Sequence, residues 1–329
     1  MKPFAYLAGT SVDGVTQAVG GTPQAMFFAG GTTLVDLMKI DVLTPAVLVD
    51  VNRLPLDRIT VEDDGLHLGA TVRNSELAWH PEVRTRFPAL SEAVLAGAST
   101  QLRNMATTGG NIMQRTRCPY YRDVHAACNR RSPGSGCDAI DGVNRGHAVL
   151  GTSDHCIAVH ASDMCVALAI FDAIVRTRRP DGTSRDIPLV DLHLLPGTTP
   201  ERETVLDVGE LITEVIVPPL PWATCSHYLK VRDRASYEFA LASAAVALRF
   251  DGDVIAEARI GLGGVATKPW RARDAEAELA GQRPSPALFA VAADAALAGA
   301  VARRDNGFKI ELGKRTVVRA LTELVARLG

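Results

Sequence analysis

The segment from Ile112 to Val159 constrains the fold most, because it holds too few apolar residues to form a core of its own. Arginine, cysteine, asparagine, glycine and serine dominate it, and RRSPGSGCD near its middle is typical of turns. A loop this long inside a compact domain is usually functional. Five of the six cysteines lie in or directly after it, at Cys118, Cys128, Cys137, Cys156 and Cys165. This crowding indicates that the cysteines have a local role within the insertion.

Three interpretations of these thiols are open. A disulfide framework is typical of small secreted chains, whereas this chain has 329 residues and we expect no secretory signal. Free structural cysteines prefer apolar surroundings, and these have polar neighbours: Arg117, Arg122, Asn129, Arg130 and Asp138. Metal binding fits that setting better, although the CxxC pairs of zinc ribbons are absent. Nearby arginines and the N–H groups of Gly134 and Gly136 would offset thiolate charge, which favours a [4Fe–4S] cluster over zinc.

Two paired-glycine motifs flank other apolar segments. Phe27-Phe28-Ala29-Gly30-Gly31-Thr32-Thr33-Leu34 places two glycines after a predicted strand, where backbone N–H groups can approach an anion without a Cβ in the way. Taken alone, this sequence also fits a plain tight turn, since it matches neither the Rossmann nor the P-loop spacing. A second motif, Arg103-Asn104-Met105-Ala106-Thr107-Thr108-Gly109-Gly110-Asn111, repeats the pattern. Two such loops can clamp one dinucleotide.

Alternating strand and helix signals surround the insertion. Residues 1–220 are predicted to form one domain with the insertion at about 112–159, and residues 221–329 a smaller domain, because Pro218-Pro219 marks a boundary. The predicted strands include Ala25–Ala29, Ala46–Val51, a hairpin of Ile59–Glu62 and Leu66–Ala70, Leu211–Val217, Ala240–Phe250 and Val254–Leu262. Predicted helices are Val35–Lys39, segments of Ser75–Ala98 divided at Pro81 and Pro88, Ala272–Leu279, Pro286–Ala302 and Val317–Leu328. The pattern is that of an α+β protein.

Composition excludes two classes of partner. The net charge is -2 and the basic residues form no stripe that could neutralise phosphates, so we expect no nucleic-acid binding. No apolar run approaches the roughly eighteen residues of a membrane span. We therefore expect a protein that is cytoplasmic by its own sequence.

The motifs AGGTTL, RNMATTGGN and HASD resemble, in order and spacing, the flavin-binding subunits of the xanthine dehydrogenase and carbon monoxide dehydrogenase superfamily of molybdenum hydroxylases. The segments GELITEVIVP, YLKVRDRASYEFALASAAVAL and GLGGVATKPWRA extend the resemblance to nearly the whole chain. The resemblance implies a two-lobed FAD-binding domain of the vanillyl-alcohol-oxidase (PCMH) type, followed by a smaller α+β domain of the CO dehydrogenase flavoprotein type.

The resemblance also implies which residues bind FAD: Phe27, Phe28, Ala29, Gly30, Gly31, Thr32, Thr33, Leu34, Thr107, Thr108, Gly109, Gly110, Asn111, Ser162, Asp163, Ile212 and Lys230. Lys230 would lie near the flavin ring, where a cation stabilises the anionic reduced flavin. Two other interpretations remain open. Asp163 also fits a helix N-cap together with Ser162, and Lys230 also fits a solvated surface charge.

The insertion itself resembles the flavin subunit of bacterial periplasmic aldehyde oxidoreductases, through RTRCPYYRD, CNRRSPGSGCDA, HAVLG and CIAVHASDM. On that resemblance Cys118, Cys128, Cys137 and Cys156 would hold a [4Fe–4S] cluster, and Cys165 would pack inside a helix. The histidines His147, His155 and His160 are interpreted as hydrogen-bonding residues, and Cys225 has no assigned role.

The implied function is electron transfer, with no catalytic residue in this chain. A large molybdopterin-binding subunit would oxidise an aldehyde, a small [2Fe–2S] subunit would relay the electrons, and FAD would pass them to an external acceptor. The three chains would form a heterotrimer or its dimer. A signal on a partner would place the complex in the periplasm instead. The alternatives are the flavin subunit of an aromatic acyl-CoA reductase and a zinc-stabilised scaffold without flavin.

Overall fold

Three β-sheets organise residues 1–328, the part of the chain that the computed structural model describes. The strands are β1 (Ala5–Ala8), β2 (Ala25–Phe28), β3 (Val47–Asp50), β4 (Ile59–Glu62), β5 (Gly65–Gly69), β6 (Ile174–Arg178), β7 (Ser184–Pro188), β8 (Leu211–Val217), β9 (Ser226–Val231), β10 (Ala242–Asp251), β11 (Val254–Gly263) and β12 (Trp270–Arg271). The helices are α1 (Val12–Gly21), α2 (Leu34–Lys39), α3 (Asn74–Trp79), α4 (Pro81–Arg86), α5 (Pro88–Ala96), α6 (Thr100–Met105), α7 (Thr108–Ile112), α8 (Pro119–Arg122), α9 (Asp163–Ile170), α10 (Leu189–Leu192), α11 (Arg273–Leu279), α12 (Pro286–Ala296) and α13 (Phe308–Leu328).

The first lobe is a parallel sheet in the order β1-β3-β2 with α1 packed on it. Ser11 begins α1 by accepting a hydrogen bond from the Gly14 N–H, and the helix then buries Val15 and Val19 against Val49. Because β2 and β3 run in the same direction, both end at one edge of the sheet. The first glycine motif leaves β2 at that edge.

The second lobe is an antiparallel sheet in the order β4-β5-β8-β6-β7. The predicted hairpin is confirmed, with Ile59 opposite Leu68. Pro81 and Pro88 occupy the first positions of α4 and α5, where a proline costs no hydrogen bond, so the predicted helix divisions are also confirmed. Helix α9 is buried along nearly its whole length in the core of this lobe.

The carboxyl-terminal part is a sheet in the order β12-β11-β10-β9, with α11, α12 and α13 packed on one face. Its other face belongs to the core of the second lobe, where Tyr228, Ala245 and Ala247 pack with α9. The chain thus has the expected α+β architecture. No helix in residues 1–328 combines the length and apolarity that crossing a membrane requires.

Two predicted helix boundaries were wrong. The helix expected over Pro286–Ala302 ends at Ala296, shortly before Gly299, whose φ of +76° is a left-handed conformation. The helix expected to begin at Val317 begins at Phe308 instead. Its first turns bury Lys309, Gly313 and Thr316 rather than apolar side chains, so the apolar periodicity that marks an amphipathic helix is missing there.

The insertion contains little regular structure beyond α8 and a single antiparallel bridge between Cys128 and Cys137. Its second half is attached to the carboxyl-terminal part. Val149 and Leu150 both donate to the Val265 carbonyl and belong to the core under that sheet. The insertion therefore bridges the flavin lobes and the last domain, a contact that the sequence did not predict.

Candidate functional site

The first glycine loop lies against the chain just before the second one. A Cβ on Gly30 would come within 1.9 Å of the Met105 carbonyl oxygen, so only glycine allows this approach. Gly31 has a φ of +71°, which also favours glycine. Arg73 braces the contact, since it donates to the Met105 carbonyl at 2.5 Å and to Asn52 Oδ1 at 3.0 Å. Asn52 in turn donates to the Ala29 carbonyl at 3.0 Å, which ties the first loop to the brace.

The second glycine loop begins α7. Thr107 is its N-cap, and its Oγ1 accepts from the Gly110 N–H at 3.2 Å. Thr108 points inward and donates to the Val72 carbonyl at 3.2 Å. A Cβ on Gly109 would come within 3.2 Å of Ala70, so this loop also rests tightly on its neighbour. The two loops are held at a fixed separation by these contacts.

A cavity of about 440 Å³ lies between the two loops, within the size range of ligand sites. Eleven of the predicted FAD residues line it: Phe27, Ala29, Gly30, Gly31, Thr32, Thr33, Leu34, Thr107, Gly109, Gly110 and Ile212. Phe28 lies behind the loop, where its ring would meet a side chain on Gly31. Thr71, Arg115 and Glu210 also line this cavity and were not predicted from the sequence. They lie outside the glycine motifs and carry no local signal.

A second cavity of about 550 Å³ adjoins the first and shares Thr32, Thr33 and Gly110 with it. Asn111 and Asp163 line it, and Ser162 donates to Asn111 Oδ1 at 2.7 Å. Ser162 is also the N-cap of α9, so the capping role and a place beside the cavity coexist. The other walls come from elements that sequence reasoning did not select: Asp36, Arg103, Arg117, Arg234, Tyr237 and Phe239.

Asp163 is the centre of a buried polar cluster beside this second cavity. Lys230 Nζ lies 2.8 Å from its Oδ2, and the Tyr228 hydroxyl donates to its Oδ1 at 2.5 Å. Burial and the neighbouring Asp163 carboxylate raise the pKa of Tyr228 well above its usual value, so the hydroxyl remains a donor. Lys230 is buried rather than solvated, and it donates also to the Ala96 carbonyl at 3.2 Å. It does not line the cavity itself, so it acts on that space through Asp163.

The insertion reaches the second cavity through two arginines. Arg117 and Arg122 both pair with Asp36, at 3.0 and 2.7 Å. The hydrogen bond from Arg122 and the charges of both arginines hold the pKa of Asp36 below its usual range, despite the opposing effect of burial. The Arg117 guanidinium also lies over the Phe239 ring, 5.1 Å from its centroid. The residue next to Cys118 therefore connects the insertion to a wall of this cavity.

Cys118, Cys128, Cys137 and Cys156 line one small enclosed cavity, here named the four-cysteine centre. Within residues 1–328, no three of their sulfur atoms lie within 4.8 Å of one another. A single tetrahedral zinc ion would hold its sulfurs about 3.8 Å apart, given Zn–S bonds of about 2.3 Å. The wider arrangement fits a polynuclear iron–sulfur cluster better than one zinc ion.

Donor groups surround these sulfurs. His147 Nε2 lies 3.1 Å from Cys118 Sγ, Arg130 Nη2 lies 3.7 Å from Cys156 Sγ, and the Ala158 N–H points at Cys156 Sγ from 3.5 Å. Burial and the charge of nearby Lys309 lower the pKa of His147 to about 4, so its ring is neutral at pH 7. Burial raises the pKa of Cys118 to about 12, which means that a bound cation is needed to stabilise its thiolate.

The remaining predictions in this region have mixed outcomes. The Gly136 N–H donates to Asn129 Oδ1 at 2.9 Å, so the expectation that it offsets thiolate charge was wrong. Cys165 is fully buried in α9, as predicted. His155 is exposed, whereas His160 lies 3.2 Å from His193. Cys225 lies apart from the other thiols, with Thr224 as its neighbour at 3.9 Å.

Comparison with known proteins accounts for this arrangement. Residues 2–220 match the family model of the FAD binding domain in molybdopterin dehydrogenase, and residues 227–324 match the CO dehydrogenase flavoprotein C-terminal domain. The chain belongs to the FAD-binding subunits of the molybdopterin dehydrogenases. It is therefore a subunit of an oxidoreductase, and the resemblance and the fold class inferred from the sequence are confirmed.

Individual members of the family are similar to this chain over most or all of their length. The aldehyde oxidoreductase FAD-binding subunit PaoB of Escherichia coli is 48% identical, over 99% of this chain and 100% of that one. The glyceraldehyde dehydrogenase medium chain of Sulfolobus acidocaldarius is 27% identical, over 85% and 82%. Among solved structures, carbon monoxide dehydrogenase from Hydrogenophaga pseudoflava superposes with a TM-score of 0.77 and 28% identity, over 99% of both chains.

Proposed function

We propose that this FAD-binding subunit carries FAD and a [4Fe–4S] cluster and transfers electrons in a molybdenum-dependent aldehyde oxidoreductase. The observation that carries the proposal is 48% identity to an aldehyde oxidoreductase subunit over essentially both whole chains. The four-cysteine centre supports the iron–sulfur part, because its four cysteines line one small cavity and no three of their sulfurs in residues 1–328 lie within 4.8 Å of one another, which is wider than a single zinc ion needs.

The residues of this chain would bind and orient the flavin. The first glycine loop would bind the diphosphate in the first cavity through its backbone N–H groups, whereas the N–H groups of Thr108 to Asn111 in the second loop are bonded within the protein. Asn111 and Asp163 offer oxygen acceptors to the second cavity. Bound FAD supplies the exchange between two-electron and one-electron steps, and an iron–sulfur cluster passes single electrons. Lys230 would hold the Asp163 carboxylate in place beside the flavin.

Partner chains would supply the substrate chemistry. A molybdopterin-binding large subunit would oxidise the aldehyde, and a [2Fe–2S] small subunit would bring the electrons to this chain, in a heterotrimer or its dimer. An external acceptor would then remove them. The carbon monoxide and glyceraldehyde dehydrogenase relatives are medium chains, which supports a multi-subunit complex.

Metal and flavin analysis tests the proposal. The chain is co-expressed with its partners and purified without oxygen, and its iron, sulfide, zinc and flavin are assayed beside its absorption spectrum. We expect one flavin and about four irons per chain. Cys118→Ser should lower the iron content, whereas the control Cys225→Ser, which alters a thiol outside the centre, should not. Zinc in place of iron, or no flavin, would contradict the proposal and favour the scaffold alternative.

Substrate oxidation separates the two enzymatic alternatives. The loaded complex is expected to reduce an artificial acceptor with aldehydes as electron donors. Reduction of an aromatic acyl-CoA thioester by a reduced low-potential donor, without aldehyde oxidation, would instead identify an aromatic acyl-CoA reductase.

A further inference from the structure

Three partly buried charged side chains, Arg115, Glu203 and Arg130, connect the four-cysteine centre with the first cavity, and they are named here the charged triad. Glu203 forms ion pairs with Arg115 Nη2 at 2.6 Å and with Arg130 Nη1 at 3.0 Å. Arg130 continues to Cys156 Sγ at 3.7 Å, while Arg115 lines the flavin cavity. The Arg130 side chain is 8% exposed, whereas those of Glu203 and Arg115 are 18% and 26% exposed. Water therefore screens the charge of Arg130 least of the three.

The charges of Arg115, Glu203 and Arg130 do not cancel. Arginine remains protonated at every pH at which proteins are folded, so two guanidinium groups share one carboxylate. The three side chains carry a net charge of +1, and Arg130, the one nearest the four-cysteine centre, is positive. Burying an extra positive charge is costly unless a negative group compensates it. The thiolates of the four-cysteine centre are the negative groups within reach of Arg130.

We infer that Arg130 raises the reduction potential of the four-cysteine centre and that Glu203 limits this effect. The inference rests on the proposed function, since it requires an iron–sulfur cluster at that centre. Reduction adds one electron to a site that already carries several thiolates. A fixed positive charge and an N–H donor at a ligand sulfur stabilise the more negative, reduced state. Glu203 weakens the field of Arg130, because its own charge has the opposite sign.

Arg130 would thus change the reduction potential of the cluster through its charge, without binding the cluster as a ligand. His147 Nε2 lies 3.1 Å from Cys118 Sγ as well, but it belongs to an imidazole, which lacks the permanent charge of a guanidinium. Arg130 has the only guanidinium among the residues that line the four-cysteine cavity in the described part of the chain. Its substitution therefore removes the one full positive charge in that wall.

Two substitutions that remove charges of opposite sign test the inference. Arg130→Met removes the positive charge and leaves Glu203 neutralised by Arg115, so no carboxylate becomes unpaired. Glu203→Gln removes the negative charge and leaves both arginines. Arg130→Lys keeps the charge and should restore much of the wild-type behaviour. Arg271→Met is the matched control, because Arg271 is a buried arginine paired with Glu276 that lines neither the flavin cavities nor the four-cysteine centre.

The readout is the midpoint potential of the cluster in the purified complex, followed by electron paramagnetic resonance during a reductive titration. We expect the equilibrium constant for reduction to fall about tenfold in Arg130→Met, which is a shift of about 59 mV to lower potential for one electron. We expect a shift to higher potential in Glu203→Gln and none in Arg271→Met. If Arg130→Met lost its iron, the Glu203→Gln shift would decide the question alone.

Unchanged potentials, or shifts of the same sign in Arg130→Met and Glu203→Gln, would overturn the inference while the cluster itself remained established. A wild-type complex that contains no iron would overturn the inference together with the proposed iron–sulfur function. The iron assay on the wild type therefore distinguishes the two failures.

Discussion

Asp163 and Lys230 form a buried ion pair that joins α9 to β9 beside the second flavin cavity. Asp163→Asn would leave Lys230 charged, buried and without its carboxylate. Loss of one partner of a buried pair costs about 3 kcal/mol. We expect the free energy of unfolding to fall by about that amount and flavin to bind less tightly, measured by urea denaturation and by flavin fluorescence. The control is Asp294→Asn, which removes the exposed partner of Lys314 and should change the free energy of unfolding and the flavin affinity little. Equal losses in Asp163→Asn and Asp294→Asn would contradict a special role for the Asp163–Lys230 pair.

Gly30 is the residue at which the two glycine loops meet. In Gly30→Ala the new methyl group would collide with the Met105 carbonyl, so the loops must move apart. We expect flavin affinity to fall at least tenfold, measured by the flavin retained after gel filtration and by titration of the apoprotein. Gly21→Ala is the control, since a Cβ at Gly21 meets nothing within 4 Å. Normal flavin content in Gly30→Ala would show that the contact between the loops does not shape the site.

The two glycine loops could be predicted from the sequence because their signal is local: small residues follow an apolar run. Asn52 and Arg73, which brace those loops, could not be predicted in this way. Arg73 contacts Met105, which lies 32 positions away along the chain, and nothing in the sequence around Arg73 marks that contact. Lys230 was assigned to the flavin site by resemblance alone, and only the structure shows that Asp163 stands between it and the cavity.

At the scale of elements, Glu92 joins α5, β9 and α13. Its carboxylate accepts from His227 Nδ1 and the Tyr228 N–H, both at 2.7 Å, and pairs with Arg327 at 2.9 Å. Burial alone would raise the pKa of Glu92, but these donors hold it below its usual range. The carboxylate therefore stabilises the folded state above its unfolded pKa, and this contribution is lost as the pH falls through the folded pKa.

We expect the Tm of Glu92→Gln to be lower than that of the wild type at pH 7. The two Tm values should converge as the pH falls below about 4.5, the ordinary pKa of a glutamate. Thermal unfolding followed by circular dichroism across pH 3.5 to about 8 measures this difference. Glu82→Gln, which breaks an exposed pair with Arg86 one helical turn away, is the control and should shift the Tm little at any pH. A constant difference between Glu92→Gln and the wild type over the whole range would rule out this role.

Element boundaries show where periodicity fails as a predictor. The hairpin of β4 and β5 follows from alternation and a turn sequence that are both local. The amino-terminal turns of α13 could not be recognised, because a buried lysine, glycine and threonine replace the apolar side chains of an ordinary helix face. Tertiary contacts explain two of them: Lys309 donates to three carbonyls outside α13, and Gly313 rests on Leu297, which follows α12.

At the scale of the whole molecule, Lys309 of α13 ties the insertion to the last domain. Its ammonium group donates to the carbonyls of Gly146, His147 and Gly264, at 3.0, 3.0 and 2.5 Å. Lys309→Met would remove all three bonds without touching a cysteine. We expect lower iron content after purification and a lower Tm, because the His147 segment packs against Cys118. Lys314→Met in the same helix is the control, because Lys314 is half-buried and pairs with the exposed Asp294 rather than with the insertion. Full iron content in both variants would mean that Lys309 does not support the four-cysteine centre.

The overall fold was predictable because several motifs occur in one order along almost the entire chain, and each resembles the same family. The attachment of the insertion to the last domain was not predictable. The hydrogen bonds of Val149 and Leu150 to Val265 join segments more than a hundred residues apart, and the sequence between them gives no sign of the pairing. The cysteines of the insertion could therefore be recognised from the sequence, but its position between the first two lobes and the last domain could be seen only in the structure.

This attachment makes the completion of the proposed iron–sulfur site depend on the folding of the last domain. Cys118, Cys128 and Cys137 precede the segment that Val265 and Lys309 hold in place, whereas Cys156 follows it directly. Val265 and Lys309 are synthesised after all four cysteines. The segment that leads to Cys156 is therefore held in place only once the part of the chain that contains Val265 and Lys309 has folded, and a chain truncated before Lys309 would lack this support for the proposed cluster.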